Sequence, residues 1–218
     1  MRIILLGAPG CGKGTQAQRL TDRFHIPKLT TGDMLRSAVR AGSALGREAE
    51  QFMNSGALVP DAVMIGLIRE RLTEKDCAAG FLLDGFPRTV AQAEALDVTC
   101  RAVRQTIDNV LEFEVPESEI LQRLTGRLVC DKCGAGYHAV TQPPQIAGKC
   151  DRCDGNVVRR ADDSDTTVRK RLNVYREATE PMIAYYAGLG VVRKVNAVGT
   201  VDEVFERLCS LIDRKHSA

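Results

Sequence analysis

The sequence carries no large excess of charge of either sign. Its 30 lysines and arginines face 28 aspartates and glutamates, a net charge of +2 with no basic tail. That argues against a nucleic-acid-binding surface as its main business. No apolar run approaches the roughly 20 residues that cross a bilayer, and Met1-Arg2 followed by only four aliphatic residues is too short for a signal peptide. A cytoplasmic protein acting away from membranes is the expectation. Repeats and low-complexity tracts are also missing, so the 218 residues read as one sizeable core with one or two small insertions. A reducing compartment opposes structural disulfides, and the eight cysteines are expected as thiols or metal ligands.

What is present begins with Ile3-Ile4-Leu5-Leu6, which stops at Gly7-Ala8-Pro9-Gly10-Cys11-Gly12-Lys13-Gly14-Thr15. An aliphatic run halted by glycines predicts a buried parallel strand entering a tight turn, and Gln16 onward continues with helical character. The glycines leave no Cβ in the way, so consecutive N–H groups can converge on an anion at a helix N-terminus. Lys13 then places a mobile charge on the β- and γ-phosphates, and Thr15 offers a hydroxyl to magnesium or phosphate. A generic phosphate loop ends Gly-Lys-Ser/Thr, whereas here Gly14 intervenes. The pattern Gly-x-Pro-Gly-x-Gly-Lys-Gly-Thr resembles the loop of nucleoside monophosphate kinases, adenylate kinases in particular.

Along the chain, helix is expected to about Phe24, then a short strand at Ile26–Leu29, and helices near Asp33–Arg40, Leu45–Ser55 and Asp61–Lys75. Gly80-Phe81-Leu82-Leu83-Asp84 is an apolar run ending in an acid. In an open α/β sheet such an acid emerges at the ligand-binding edge, where it can hold a hydrated magnesium; the bland alternative is a cap for the helix near Thr89. Helix Thr89–Leu96, a polar connection Asp97–Asp108, strand Asn109–Val115 and helix Glu117–Gly126 follow. Helices Thr166–Ala178 and Pro181–Gly188, strand Val191–Asn196 and a final helix opened by the capping box Thr200-Val201-Asp202-Glu203 complete the pattern. Alternation of strand and helix predicts a five-stranded parallel sheet covered on both faces, an α/β architecture.

Cys130-Asp131-Lys132-Cys133 and Cys150-Asp151-Arg152-Cys153 are two C-x-x-C pairs separated by sixteen residues. The spacing predicts a tetrahedral four-thiolate zinc site, closed and hence structural. Its segment has few large apolar residues, and metal binding can supply the folding energy that a core does not. Disulfides, a nucleic-acid-binding zinc ribbon, His138 as a ligand, and other soft divalent metals are the alternatives. Cys11, Cys77, Cys100 and Cys209 lack paired spacing and read as plain thiols.

The phosphate loop, Thr31-Gly32-Asp33-Met34-Leu35-Arg36 and Asp84-Gly85-Phe86-Pro87-Arg88-Thr89 together resemble bacterial adenylate kinases of the long-lid type, over essentially the whole chain. The resemblance implies a core at residues 1–29, 60–125 and 164–218, an AMP-binding segment at 30–59 and a zinc-bound lid at 126–163. It places AMP on Thr31, Arg36, Ala57, Leu58, Val59, Gly85, Arg88 and Gln92, with Arg160 and Arg171. It places ATP on Gly10, Cys11, Gly12, Lys13, Gly14 and Thr15, on Arg123 and Arg127, and with its adenine near Gly199. Arg123 and Arg127, four apart, are expected on one helical face. Asp162 and Asp163 are implied in lid closure. Lys13, Asp84, Arg88, Arg123, Arg160 and Arg171 are the catalytic candidates, supplying distributed charge to a loose phosphoryl-transfer transition state. The implied activity is ATP plus AMP to two ADP with Mg2+, maintaining adenine nucleotide balance, by a monomer with small-molecule nucleotides as partners. The rivals are a related kinase using GTP and a zinc-ribbon regulator on a P-loop scaffold.

Overall fold

The computed structural model describes residues 1–213, so the end of the expected core segment, 214–218, lies outside the described residues. Strand β1 (Arg2–Leu6) sits at the centre of a parallel sheet with β2 (Lys28–Thr30), β3 (Phe81–Asp84), β4 (Asn109–Glu114) and β8 (Val192–Asn196). The order across it is β2-β3-β1-β4-β8. Ile3 pairs with Leu82 on one side and Asn109 on the other, and Leu5 with Asp84 and Leu111. Both faces are covered, which explains why β1 is aliphatic from Ile3 to Leu6 rather than alternating with polar residues.

Side chains of successive strand residues point to opposite faces. Ile4, Leu6, Leu83 and Val110 pack with Phe86, Leu96, Met182 and Tyr186. Ile3, Leu5, Leu82, Leu111 and Phe113 pack with Ala17, Leu20, Leu208 and Ile212. The second layer comes from helices α1 (Lys13–Phe24) and α9 (Val201–Asp213), the first from α4 (Asp61–Leu72), α5 (Val90–Ala102) and α8 (Glu180–Gly188). Each fully buried aliphatic side chain contributes about 1.5–3 kcal/mol. Helices α2 (Thr31–Arg40) and α3 (Ala44–Ser55) pair beside the sheet edge, with Ser43 Oγ capping α3 by accepting the Gly46 N–H at 3.0 Å.

A second, antiparallel sheet follows α6 (Glu117–Thr125): β5 (Arg127–Cys130) lies between β6 (Gly136–His138) and β7 (Val157–Arg159). It packs only a small cluster, Cys130, Ala135, Tyr137 and Cys150 with Leu128, Cys153 and Val157 at its margin. The chain re-enters the core through α7 (Asp165–Val174), a π-helical turn at Tyr175–Thr179 and α8. No helix among the described residues is long and apolar enough to cross a membrane.

Three expectations need correction. The polar stretch after Leu96 stays helical to Ala102, because Leu96 and Cys100 continue the buried stripe and Asp97, nearly buried, accepts the Tyr185 hydroxyl at 2.7 Å. The helix expected to Ala178 instead becomes a π-helical turn at Tyr175. Arg123 and Arg127 do not share a helical face: α6 stops at Thr125, and Gly126 sends its carbonyl to the Ala139 N–H of the lid region, so Arg127 begins β5. The capping box is present, with Thr200 N–H donating to Glu203 Oε2 at 2.8 Å and Glu203 N–H to Thr200 Oγ1 at 3.3 Å.

Candidate active site

The loop from Gly7 to Gly12 leaves the carboxyl end of β1 and runs into the N-terminus of α1, where Lys13 is the first helical residue. Gly10 has φ +85°, and a Cβ there would lie 2.6 Å from Leu124 Cγ, so the loop seats directly on α6. Lys13 Nζ folds back on its own loop, donating to the carbonyls of Gly7 (2.5 Å) and Ala8 (2.9 Å) and lying 3.3 Å from Cys11 Sγ. Gly14 and Thr15 are exposed on the first turn. Asp84, at the carboxyl end of the neighbouring strand, approaches that turn: a Cβ on Gly14 would be 3.7 Å from Asp84 Oδ2. Burial raises the Asp84 carboxyl above the usual range, opposed by Lys13 and Arg88. Asp84 does not cap α5, a task taken by Thr89 Oγ1, which accepts the Gln92 N–H at 3.2 Å.

Beside the loop edge opens a cleft between α2, α3, α4, the turn after β3 and the strand-to-helix passage before α7. It gathers Thr31, Arg36, Ala57, Leu58 and Val59 from one wall and Gly85, Arg88 and Gln92 from another. Arg160 and Arg171 complete the polar lining, so every residue expected for AMP faces one space. Burial lowers the Arg88 pKa, with Asp84 opposing, and Arg88 Nε donates to the Gly85 carbonyl at 2.8 Å. Thr31 Oγ1 donates to the same carbonyl at 2.9 Å. Gln92 is nearly buried, its Oε1 accepting the Arg88 N–H at 2.8 Å and its Nε2 donating to Asp61 Oδ1 at 2.7 Å. Half of the amide's hydrogen-bonding capacity is thus already engaged within the protein, and one N–H and one lone pair remain. Asp61 escaped the sequence reading, since an acid at a helix start reads as dipole compensation.

The remaining arginines are held by two acids. Arg160 grips Asp162 with two bonds, Nε to Oδ1 at 2.9 Å and Nη2 to Oδ2 at 2.6 Å, and Arg171 Nη1 reaches Asp162 Oδ2 and Asp163 Oδ1, each at 3.0 Å. Arg127 forks onto the fully buried Asp163 through Nε (2.6 Å to Oδ2) and Nη2. Burial pulls Arg171 down to about 10 although Asp162 opposes it. Burial pushes the Asp162 carboxyl up, but Arg160 and Arg171 outweigh it and hold the pKa at about 2. A carboxyl depressed below its unfolded value of about 3.9 stabilises the fold above that pH and loses the contribution as pH falls through its folded pKa. The contribution here is about 2 kcal/mol. Asp162→Asn is therefore expected to flatten the pH dependence of unfolding free energy between about pH 4 and 2. Denaturant titrations with the same slope in both proteins would refute this.

Arg123 joins the loop to the far end of the sheet, donating from Nη1 to the Cys11 carbonyl at 3.3 Å and from Nη2 to the Ala197 carbonyl at 3.2 Å. Gly199 lies in the adjoining turn with φ +125°.

A family model described as adenylate kinase matches residues 5–191. Over 215 residues the chain is 48% identical to the adenylate kinase of Thermodesulfovibrio yellowstonii, spanning 99% of this chain and 100% of that one. It is 51% identical over 212 residues to that of Syntrophobacter fumaroxidans, with 97% and 100% covered. Against the adenylate kinase of Clostridium botulinum strain Loch Maree the identity is 50% over 214 residues, with 98% and 99% covered. The chain belongs to the adenylate kinase family.

Within this adenylate kinase fold the lid region carries the four-cysteine cluster. The Sγ atoms of Cys130, Cys133, Cys150 and Cys153 all lie within 4.8 Å of one another, with Cys130 to Cys153 at 3.6 Å and Cys133 to Cys150 at 3.5 Å. Four thiolates about 2.3 Å from a tetrahedral ion would be about 3.8 Å apart, so the cluster is spaced to hold a metal ion. The Tyr137 hydroxyl, 3.3 Å from Cys150 Sγ, lowers that thiol to about 6. His138 is not part of the cluster: its Nδ1 accepts the N–H groups of Val140 and Thr141. Cys11, Cys77 and Cys100 are buried and Cys209 half-buried, none of them paired.

Proposed function

We propose that the protein transfers the γ-phosphoryl group of ATP reversibly to AMP, giving two ADP. The observation that carries this reading is the single cleft that gathers Arg36, Arg88, Arg160 and Arg171 beside the phosphate loop. One nucleotide phosphate chain fits the loop and a second phosphate fits the arginines. Transfer then needs an oxygen of the AMP phosphate to attack the γ-phosphorus as the bond to the ADP bridging oxygen breaks. Lys13 leaves its loop carbonyls to follow the transferred group, and Arg88, Arg123, Arg160 and Arg171 spread positive charge around it. Guanidinium forks suit this because they bind phosphate oxygens in pairs.

Asp84 would hold a hydrated magnesium, which would supply positive charge to the nucleotide phosphates. Thr31, the 57–59 backbone, Gly85 and Gln92 position AMP, and Gly10 to Thr15, Arg127 and the Gly199 turn position ATP. Zinc is the ion proposed for the four cysteines, with a structural role, since four protein thiolates leave no open coordination position. Residues 1–29, 60–125 and 164–218 act as the core, 30–59 as the AMP segment and 126–163 as the lid, in which Asp162 and Asp163 stabilise the closed form. A monomer in the cytoplasm completes the reading.

Gly56, before Ala57 at the end of α3, tests the AMP segment. It has φ +72°, and a Cβ there would lie 3.1 Å from both the Thr167 carbonyl oxygen and Arg171 Cγ. Gly56→Ala is expected to raise KM for AMP about tenfold by holding the segment away from α7. Gly42, with φ +62° and nothing within 4 Å of an added Cβ, separates contact from backbone strain. An equal rise in Gly42→Ala would remove close approach as the cause. The activity itself is tested by a coupled assay over a matrix of nucleotide donors and acceptors with magnesium. Failure to form ADP from ATP plus AMP would overturn the proposal, and a preference for GTP would redirect it.

A further inference from the structure

Between the end of β8 at Asn196 and the start of α9 at Val201 the chain turns through Ala197-Val198-Gly199-Thr200. Most of its backbone is occupied. Val198 N–H donates to Asn196 Oδ1 at 3.0 Å and Thr200 N–H to Glu203 Oε2 at 2.8 Å, while Arg123 holds the Ala197 carbonyl. Gln16 Nε2, from α1, donates to the Val201 carbonyl at 2.8 Å. Arg207, on the second turn of α9, fixes the rest: its Nη1 donates to the carbonyls of Asn196 at 2.9 Å and of Val198 at 2.7 Å. Gly199 is left over. Among the described residues neither its N–H nor its carbonyl has a hydrogen-bond partner, and the residue is exposed. The Val198 carbonyl held by Arg207 shares a peptide plane with the Gly199 N–H, and the Thr200 N–H held by Glu203 shares one with the Gly199 carbonyl, so both groups are oriented by their neighbours.

A donor and an acceptor side by side match a purine edge of one polarity. Adenine offers an amino donor beside a ring-nitrogen acceptor, and guanine reverses the pair with a carbonyl beside a ring N–H. Which purine is accepted therefore depends on the direction in which the turn is held. We propose that Arg207 is a positioning residue that sets donor-base preference, by locking the Asn196 and Val198 carbonyls, both just ahead of Gly199, so that the free main-chain groups of Gly199 match adenine. The inference rests on the reading of this turn as the donor-base site.

Replacing Arg207 with alanine is expected to raise KM for ATP about fivefold, the effect of roughly 1 kcal/mol of lost hydrogen bonding. Turnover and KM for AMP stay unchanged, and the kcat/KM ratio of ATP over GTP falls by about the same factor. Arg207→Lys, which can keep one of the two bonds, recovers part of both. An unchanged ATP KM and donor ratio, or an equal rise in both nucleotides' KM with a lower Tm, would overturn the inference. The underlying reading is tested separately in the unmodified protein, by the shift of the Gly199 backbone amide resonance on adding a non-hydrolysable ATP analogue. No shift there would overturn the reading of the turn; a shift with unaltered Arg207→Ala kinetics would overturn the role of Arg207 alone.

Discussion

Replacing Arg88 with glutamine is expected to lower kcat by about a thousand-fold, the scale on which a single transition-state arginine acts in phosphoryl transfer. Arg88 leaves the turn after β3 only four residues beyond Asp84, and its Nε is already anchored on the Gly85 carbonyl, so its fork is aimed before substrate arrives. Thr179 Oγ1 donates to the Arg88 carbonyl at 3.0 Å and braces its backbone from the π-helical turn. Burial works against this charge, as its lowered pKa records, and the site bears that cost because charge is worth more where water is excluded. Glutamine keeps a polar group for the Gly85 carbonyl and removes the charge. Steady-state kinetics should show the loss mainly in kcat, with a smaller rise in KM for AMP. Near-normal turnover in a variant of unchanged Tm would take Arg88 out of the chemistry.

Stripping a metal bound at the four-cysteine cluster is expected to unfold the lid region while leaving the parallel sheet intact. The antiparallel sheet β5 to β7 buries only Cys130, Ala135, Tyr137 and Cys150, two of them the thiols themselves. Such a cluster supplies little hydrophobic stabilisation, whereas metal–thiolate binding contributes on the order of 10 kcal/mol. Arg127, on β5, and Arg160, just after β7, would lose their fixed positions with it. The expected result is loss of amide hydrogen-exchange protection confined to 127–159 and a KM for ATP raised at least tenfold, roughly 1.4 kcal/mol or more. Metal analysis giving under about half an equivalent in carefully prepared protein, or a protected lid after removal, would refute it.

The centre of the parallel sheet was legible because β1 is an aliphatic run closed by glycine and β3 an apolar run closed by an acid. Arg36 and Arg88 of the cleft were legible only through the motifs that resemble the adenylate kinases, and Lys13 through its glycine-rich loop. The lid's antiparallel sheet was not: Arg127–Cys130 and Val157–Arg159 are too short for a period, and the cysteine spacing alone marked the region. Nor could helix continuity from Arg123 to Arg127 be judged, because the backbone of Gly126 is drawn away by Ala139, a contact thirteen residues distant. Gln92 was found as a polar residue of the site, but its bond to Asp61 is a tertiary fact. The acids at 162 and 163 were found, whereas their simultaneous hold on Arg127, Arg160 and Arg171 depends on bringing β5 and α7 together.

Arg160, Arg171 and Asp162 of that group line the cleft, and the group as a whole bears on what can occupy it. Stripped of acids, three arginines this close would be an indiscriminate sink for sulfate, free phosphate or polyphosphate. With Asp162 and Asp163 tethered among them, any incoming anion competes against an internal carboxylate at high effective concentration. A small anion gains too few contacts to win that exchange. A nucleotide, which brings a base and a sugar along with its phosphates, gains enough. The two aspartates thus set an entry threshold, so that selectivity against the cell's abundant simple anions comes from what occupies the arginines beforehand.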